Sequence, residues 1–417
     1  MRYQEAVEYL YQLQQFGANF GLERAFKLAE LAGRPQDKLK FIHVAGTNGK
    51  GSTCAMLESI YRHAGYKTGL FTSPHLISFA ERIQVNRQLI PEPEVARLVS
   101  EMRDILNLKQ LPEIDHPTFF EVVTIMALKW FAEQNCDIVI WETGLGGRLD
   151  ATNIVTPLAS VITSIDLDHQ KWLGYTITEI AREKAGIIKP GVPVFTLADT
   201  HEAWDVIRET ALRNNAPVHC IERKYMWPSS LIGPHQLDNS GLAVMVAKNL
   251  PLAVDDATIR TALQNVTWPG RFDIRGRYIF DGAHNREGEF MLFGTIALTF
   301  PKLRPAFIVG ILADKDIAAM AEAITRIASR VLTVAVHSDR AADANQLADT
   351  FRKVAPETPI EACGSLAEAI AKTENEERVV VTGSLHFIGE AMEFLGFEVG
   401  KPGERSLNDW SQRPPPR

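Results

Sequence analysis

The residues best able to do chemistry begin at Gly46, where Gly46-Thr47-Asn48-Gly49-Lys50-Gly51-Ser52-Thr53 gathers three glycines, a lysine and three hydroxyls into eight positions. Glycines let a backbone turn its amides inward around a polyphosphate. Lys50 can reach the outer phosphates, and Ser52 or Thr53 offers a hydroxyl to Mg²⁺. The apolar run Phe41–Ala45 in front reads as a buried strand, and residues from Thr53 onward carry apolar positions at helical spacing. The order is strand, phosphate loop, helix. The ordinary phosphate-loop pattern is matched incompletely, because Val44 stands where its first glycine belongs and Gly51 separates Lys50 from Ser52. A glycine-rich turn with no ligand is the plain alternative.

Further polar groups arrive at the ends of later apolar runs. The run 67–71 leads into Thr72-Ser73-Pro74-His75-Leu76, the run 137–141 delivers Glu142, and 159–165 delivers Asp166-Leu167-Asp168-His169. In an open α/β sheet ligands collect at the carboxyl ends of strands, and an acid there is where a phosphate-loop enzyme places a Mg²⁺ ligand. Ser73, Glu142 and His169 could surround one or two hard cations, although imidazole is an unusual ligand for Mg²⁺. Each has a structural alternative: a turn former, a solvated strand-end acid, a structural histidine. The glycine-dense stretch 143–153 after Glu142 allows close backbone approach. A helix over 177–185, closed by Gly186 and Pro190, carries Lys184 on what reads as a solvated charged face.

These groups need a scaffold, and 417 residues suggest two domains. The 46% apolar and 23% charged residues are those of a soluble globular protein. A net charge of −7 argues against a general nucleic-acid surface, so anionic substrates must be held by local lysines, amides and metal. Cys54, Cys136, Cys220 and Cys363 have no paired metal spacing and read as reduced thiols of a cytoplasmic protein. The first residues show no apolar signal core, and no run approaches the roughly 18 to 20 apolar residues of a membrane span. A monomer with small-molecule partners is expected.

The element pattern is α/β throughout. Residues 3–32 read as two amphipathic helices broken at 17–21 and capping the sheet, 79–86 as an extended edge, and 90–135 as helices around His116. Asn239 is placed to cap a helix. Trp268-Pro269-Gly270-Arg271-Phe272 breaks the pattern, which puts a boundary there. Residues 1–272 then form a phosphate-loop ATPase-like domain with a mostly parallel sheet, 273–405 a smaller doubly wound Rossmann-like domain, and 406–417 a disordered tail. Strand-end loops of the second domain carry Asp281, His284, Asp314, Lys315, Asp316, Arg340 and His386, facing the first domain's nucleotide.

Taken together, 45–52, 72–76, 142–153, Asp168-His169 with Trp172-Leu173-Gly174, 182–186, 269–272 and 281–285 resemble the folylpolyglutamate synthase and dihydrofolate synthase family, relatives of the muramyl-peptide ligases. The resemblance spans nearly the whole chain. It implies that Thr47, Asn48, Gly49, Lys50, Gly51 and Ser52 hold the ATP phosphates, and that Asn239, Arg271 and Asp281 contact the nucleotide. It also implies Mg²⁺ on Ser73, Glu142 and His169, His284 near the transferring phosphate, and a Lys184 carbamylated by CO₂ that approaches a second Mg²⁺. Thr118 and Phe120, with Arg82, are a candidate pterin wall, helix core being the competing reading. The implied activity is an ATP-dependent ligase adding L-glutamate to a pterin-linked carboxylate through an acyl phosphate. The acceptor is dihydropteroate, a reduced folate, or both; a muramyl-type ligase and a non-catalytic nucleotide switch are the rivals. Two positions depart from the family pattern: Arg286 stands in place of a common proline, adding charge near the expected glutamate or phosphate site, and Gly282 in place of a bulkier residue.

Overall fold

The computed structural model describes residues 1–14, 21–107, 116–197, 200–221, 223–397 and 404. The expected tail from 406 and most of the expected break at 17–21 lie outside these residues. Among the described residues there are two sheets, of eight and six strands.

The first contains β1 (Phe41–Ala45), β2 (Thr68–Phe71), β3 (Ile83–Val85), β4 (Gln88–Leu89), β5 (Ile138–Glu142), β6 (Ala159–Ile162), β7 (Val194–Thr196) and β8 (Val218–Cys220). Their order is β4-β3-β2-β5-β1-β6-β7-β8, parallel from β2 to β8, with β3 and β4 as an antiparallel edge. Parallel strands need crossover helices, which cover both faces and so demand apolar residues on both. The strands alternate between two cores accordingly. Ile138 and Ile140 of β5 pack with Ile42 and Val44 of β1 under the helix Lys50–His63. Val139 and Trp141 point the other way, with Phe41 and Phe71, toward the helix Phe119–Glu133. The helices Tyr3–Leu13 and Glu23–Leu31 do not cap the sheet. They pack against Glu92–Asn107 and Phe119–Glu133, because the latter already fills the face beside Trp141.

The second sheet contains β9 (Asp273–Arg275), β10 (Tyr278–Phe280), β11 (Ala306–Val309), β12 (Arg330–Thr333), β13 (Ile360–Ala362) and β14 (Val379–Thr382). Its order is β13-β12-β11-β14-β10-β9, parallel except for β9. Helices cover both faces, which makes it doubly wound. The sequence pattern reveals neither β9, only three residues long, nor the helix Leu385–Phe394, in which the polar His386 and Glu390 are buried with their apolar neighbours.

The two halves share a core. Leu76 and Ile77, in the loop after β2, pack with Phe387, Ile388 and Ala391 of the second sheet's layer. Gly389 permits that approach, since a Cβ there would lie 2.1 Å from the Leu76 carbonyl oxygen.

Candidate active site

The phosphate loop is built by its neighbours. Thr47 donates its N–H to the Ser164 carbonyl (2.7 Å), and the Thr163 hydroxyl donates to the Asn48 carbonyl (2.7 Å). A Cβ on Gly46 would fall 1.7 Å from Thr163 Oγ1, so no other residue fits there. Gly49 has φ +84°, and a Cβ would lie 2.4 Å from Asn239 Oδ1. The helix begins at Lys50, earlier than the apolar spacing indicates, which leaves the amides of Lys50, Gly51 and Ser52 in its first turn beside the cleft. Gly51, the residue that breaks the ordinary pattern, lies under Trp268: a Cβ would approach Nε1 to 2.9 Å.

Lys50 folds back onto its own loop, donating to the carbonyls of Gly46 (3.0 Å) and Thr47 (3.1 Å). Lys184 reaches the same Gly46 carbonyl at 2.6 Å and is only 3% exposed. Burial, with the charge of Lys50, holds its amine well below the usual lysine range. The apparently solvated helix face is therefore the inward one. Gly186 supplies space rather than a left-handed helix end: its φ is −63°, and a Cβ would lie 2.3 Å from the Arg148 Cβ.

Glu142 ends β5 beside β1, buried, and accepts the Ser73 N–H at 3.0 Å. Loss of solvent raises its carboxyl to about 7, against the pull of Lys50 and that N–H. His169 is held below the usual histidine value, mainly by loss of solvent and against the pull of Asp168. Among the described residues no three His, Cys, Asp or Glu side chains cluster as a metal site, so any cation here draws on a hydroxyl and on substrate as well. Asp150 organises the glycine-rich turn, accepting the amides of Gly144 (3.0 Å) and Leu145 (2.8 Å).

Asn239 does not cap a helix. Pro234 starts the helix Pro234–Asn249, and Asn239 lies within it, buried, donating to Gln236 Oε1 (3.0 Å) and facing Gly49 and Thr53. Asp281 follows β10 and accepts the amides of Phe272 (2.8 Å) and Ala283 (2.9 Å). Gly282 makes room for Arg271, whose Nη1 would be 2.2 Å from a Cβ. Arg286 is exposed and lies over the Phe290 ring, away from the cleft lining. Asp316 caps the helix Ile317–Thr325 instead of facing the cleft, and Asp314 pairs with Arg340.

Asp168 joins the two halves, a role not visible in the sequence. Its carboxylate meets Lys315 Nζ at 2.6 Å, Asn285 Nδ2 at 3.2 Å and His284 Nε2 at 3.4 Å. Burial opposes its charge, but His169, His284 and Lys315 hold its carboxyl well below the usual range. Asn48 adds bonds to Asn285 and to Glu287 Oε2 (2.7 Å).

At the far end stand Arg82, Thr118 and Phe120. The Thr118 hydroxyl is engaged in capping, accepting from the Glu121 amide, while Glu121 accepts the Thr118 N–H and pairs with Arg24. Phe120 lies against Gly144, where a Cβ would be 2.6 Å from its ring. One cleft of about 660 Å³ takes in every candidate: Thr47, Asn48, Gly49, Lys50, Gly51, Ser52, Ser73, Arg82, Thr118, Phe120, Glu142, His169, Lys184, Asn239, Arg271, Asp281 and His284.

Two family models match the chain, the Mur ligase middle domain over residues 44–247 and the Mur ligase, glutamate ligase domain over 270–385. The dihydrofolate synthase/folylpolyglutamate synthase of Bacillus subtilis (strain 168) is 37% identical, over 93% of this chain and 98% of that protein. The chain belongs to the folylpolyglutamate and dihydrofolate synthase family of Mur ligases. It is accordingly an ATP-dependent ligase that forms a C–N bond. The ligase is similar to the crystal structure of folylpolyglutamate synthase from Thermotoga maritima, with a TM-score of 0.83 and 37% identity over 97% of this chain and 98% of that one. It is also similar to Escherichia coli FolC in complex with DHPP and ADP, with a TM-score of 0.84 and 31% identity over 95% and 98%. Among its described residues, Cys54, Cys136, Cys220 and Cys363 are free thiols, and no helix is long and apolar enough to cross a membrane.

Proposed function

We propose that the ligase joins the amine of L-glutamate to a carboxylate on a pterin-bearing acceptor, and that it accepts both dihydropteroate and reduced folates. The observation that carries this reading is the meeting of Lys50 and Lys184 on the Gly46 carbonyl, in a cleft that Glu142 lines from the first sheet and Asp281 and His284 from the second. The kinship with a protein named for both activities supports the double acceptor range.

In this reading the first-turn amides and Lys50 hold the ATP phosphates, with Asn239, Arg271 and Asp281 on the rest of the nucleotide. Ser73, Glu142 and His169 line the same cleft and suit a divalent cation, since burial leaves the Glu142 carboxyl short of counter-charge and the His169 imidazole neutral. Mg²⁺, when bound there, neutralises charge on the phosphates. Burial and the nearby charge of Lys50 shift Lys184 toward the neutral amine, the form that adds CO₂ and loses a proton to give a carbamate, an anion suited to a second cation.

The acceptor carboxylate attacks the γ-phosphorus, ADP leaves, and an acyl phosphate results. The glutamate amine then attacks the acyl carbon and phosphate departs. His284, held beside Asp168, stands near the transferring phosphate. Contacts across the cleft, Asp168 with Lys315 and Asn48 with Glu287, keep out water that would hydrolyse the acyl phosphate. Arg82, Phe119 and Phe120 wall the pterin end; Thr118 contributes position more than its capped hydroxyl.

The test is product mass after incubation with ATP, Mg²⁺, L-glutamate and either acceptor. One added glutamyl residue is expected on both. No adduct on either would overturn the reading.

A further inference from the structure

The loop 72–82 carries Ser73 at one end and Arg82 at the other, so it spans the cation and acceptor ends of the cleft. Its interior is held by groups that the proposed chemistry does not use. His75, 2% exposed, sits between two partners: Arg82 donates its Nε–H to His75 Nδ1 at 2.8 Å, and His75 Nε2 meets the carbonyl oxygen of Glu404 at 2.9 Å. A guanidinium has no lone pair to offer, so Nδ1 must be the acceptor. The ring proton therefore lies on Nε2, which donates to Glu404.

The surroundings make this arrangement rigid. Glu404 is anchored in turn, its carboxylate accepting from the Ser78 hydroxyl (2.8 Å) and the Phe79 N–H (2.7 Å). Glu81 takes the amides of Leu76, Ile77 and Ser78 at 2.7 to 2.9 Å, which stiffens the backbone between His75 and Arg82. Arg82 is 3% exposed, lies over the Phe119 ring at 5.4 Å, and lines the cleft beside Thr118 and Phe120.

We propose that His75 is a positioning residue for the acceptor: by accepting from Arg82 it fixes the guanidinium at the cleft wall, while the Glu404 carbonyl fixes the imidazole. This rests on the reading of Arg82 as part of the acceptor wall. A long arginine side chain left to rotate would lose rotamer freedom when a ligand bound; one already tied by a charge-assisted hydrogen bond and an aromatic face does not.

The experiment is a double-mutant cycle on the full chain, read as acceptor KM, ATP KM and kcat, with thermal melts to establish folding. His75→Leu should raise the acceptor KM about tenfold, the effect of one hydrogen bond to a charged group, with kcat and ATP KM within about twofold. His75→Asn, whose amide oxygen can still accept, should recover part of the loss. Arg82→Met should raise the acceptor KM as well, and adding His75→Leu to it should cost nothing more. If Arg82→Met moves the acceptor KM but His75→Leu does not, or if their effects simply multiply, the positioning role is wrong. If Arg82→Met leaves the acceptor KM unchanged, the acceptor-wall reading fails first and takes the proposal with it. Should His75→Leu fail to fold, His75→Asn against Arg82→Met completes the same cycle.

Discussion

Asp168→Asn probes the link between the two halves most sharply. The Asp168 and Lys315 side chains are 7% and 8% exposed and 2.6 Å apart, so neither charge is satisfied by water. The amide keeps an acceptor but removes the charge, and its NH₂ then faces the donors of Asn285 and His284 or the Lys315 ammonium. Removing one partner of a buried pair costs about 3 to 5 kcal/mol where nothing relaxes. Here Lys315 lines the cleft and can take up water from it, so about 2 kcal/mol is expected against the closed arrangement, roughly thirtyfold. The assay is steady-state kinetics with glutamate as the varied substrate, alongside ATP binding by calorimetry. A fall of about thirtyfold in kcat/KM for glutamate is expected, together with a smaller loss of ATP affinity, since in the proposed reading Asp281 reaches the nucleotide from the second sheet. Wild-type kcat/KM in a folded Asp168→Asn protein would refute the idea that this carboxylate holds the halves together.

Lys184→Met removes a buried amine without opening a cavity. It should raise or preserve the melting temperature while lowering kcat by about a hundredfold or more, and unchanged turnover would exclude a role for this lysine. Gly49→Ala forces a side chain into φ +84° and onto Asn239, so ATP affinity should fall and stability drop by about 1 to 2 kcal/mol, read by calorimetry and urea melts. His43 is fully buried on β1, bonded through Nε2 to Thr152, and loss of solvent lowers its imidazole to about 3. The unfolded chain then binds the extra proton first, so this contribution is complete above about pH 6.5 and is lost as pH falls toward 3. At pH 5.5 the loss is about 1.4 kcal/mol. His43→Gln should flatten urea-melt stability between pH 7 and 5.5 by that amount, and an unaltered slope would count against the assignment.

What was legible in the sequence follows the range of the forces involved. The phosphate loop and Glu142 stand out because local pattern marks them: a buried apolar run, then glycines or a carboxylate at its end. Lys184 carries no such mark. Its helix shows charges at ordinary spacing, and only the family resemblance singled it out before the fold turned it onto the Gly46 carbonyl. Asn239 looked like a cap because asparagine favours helix starts, yet Pro234 sets the start and buries Asn239 against the phosphate loop. Nothing local marks Asp168 apart from its neighbour His169, since Lys315, His284 and Asn285 arrive from the other half of the chain. For the same reason Leu76 and Ile77 gave no sign that they would pack in the second sheet's core.

A ligase of this kind must couple nucleotide cleavage to amide formation. The measurement is ADP release from ATP and Mg²⁺, with L-glutamate present or absent, run in parallel with 7,8-dihydropteroate and with tetrahydrofolate. Sustained release that requires glutamate, with either acceptor, is the predicted result. Release with tetrahydrofolate alone would remove the dihydropteroate activity and leave tail extension; no glutamate-dependent release with either acceptor would contradict the account.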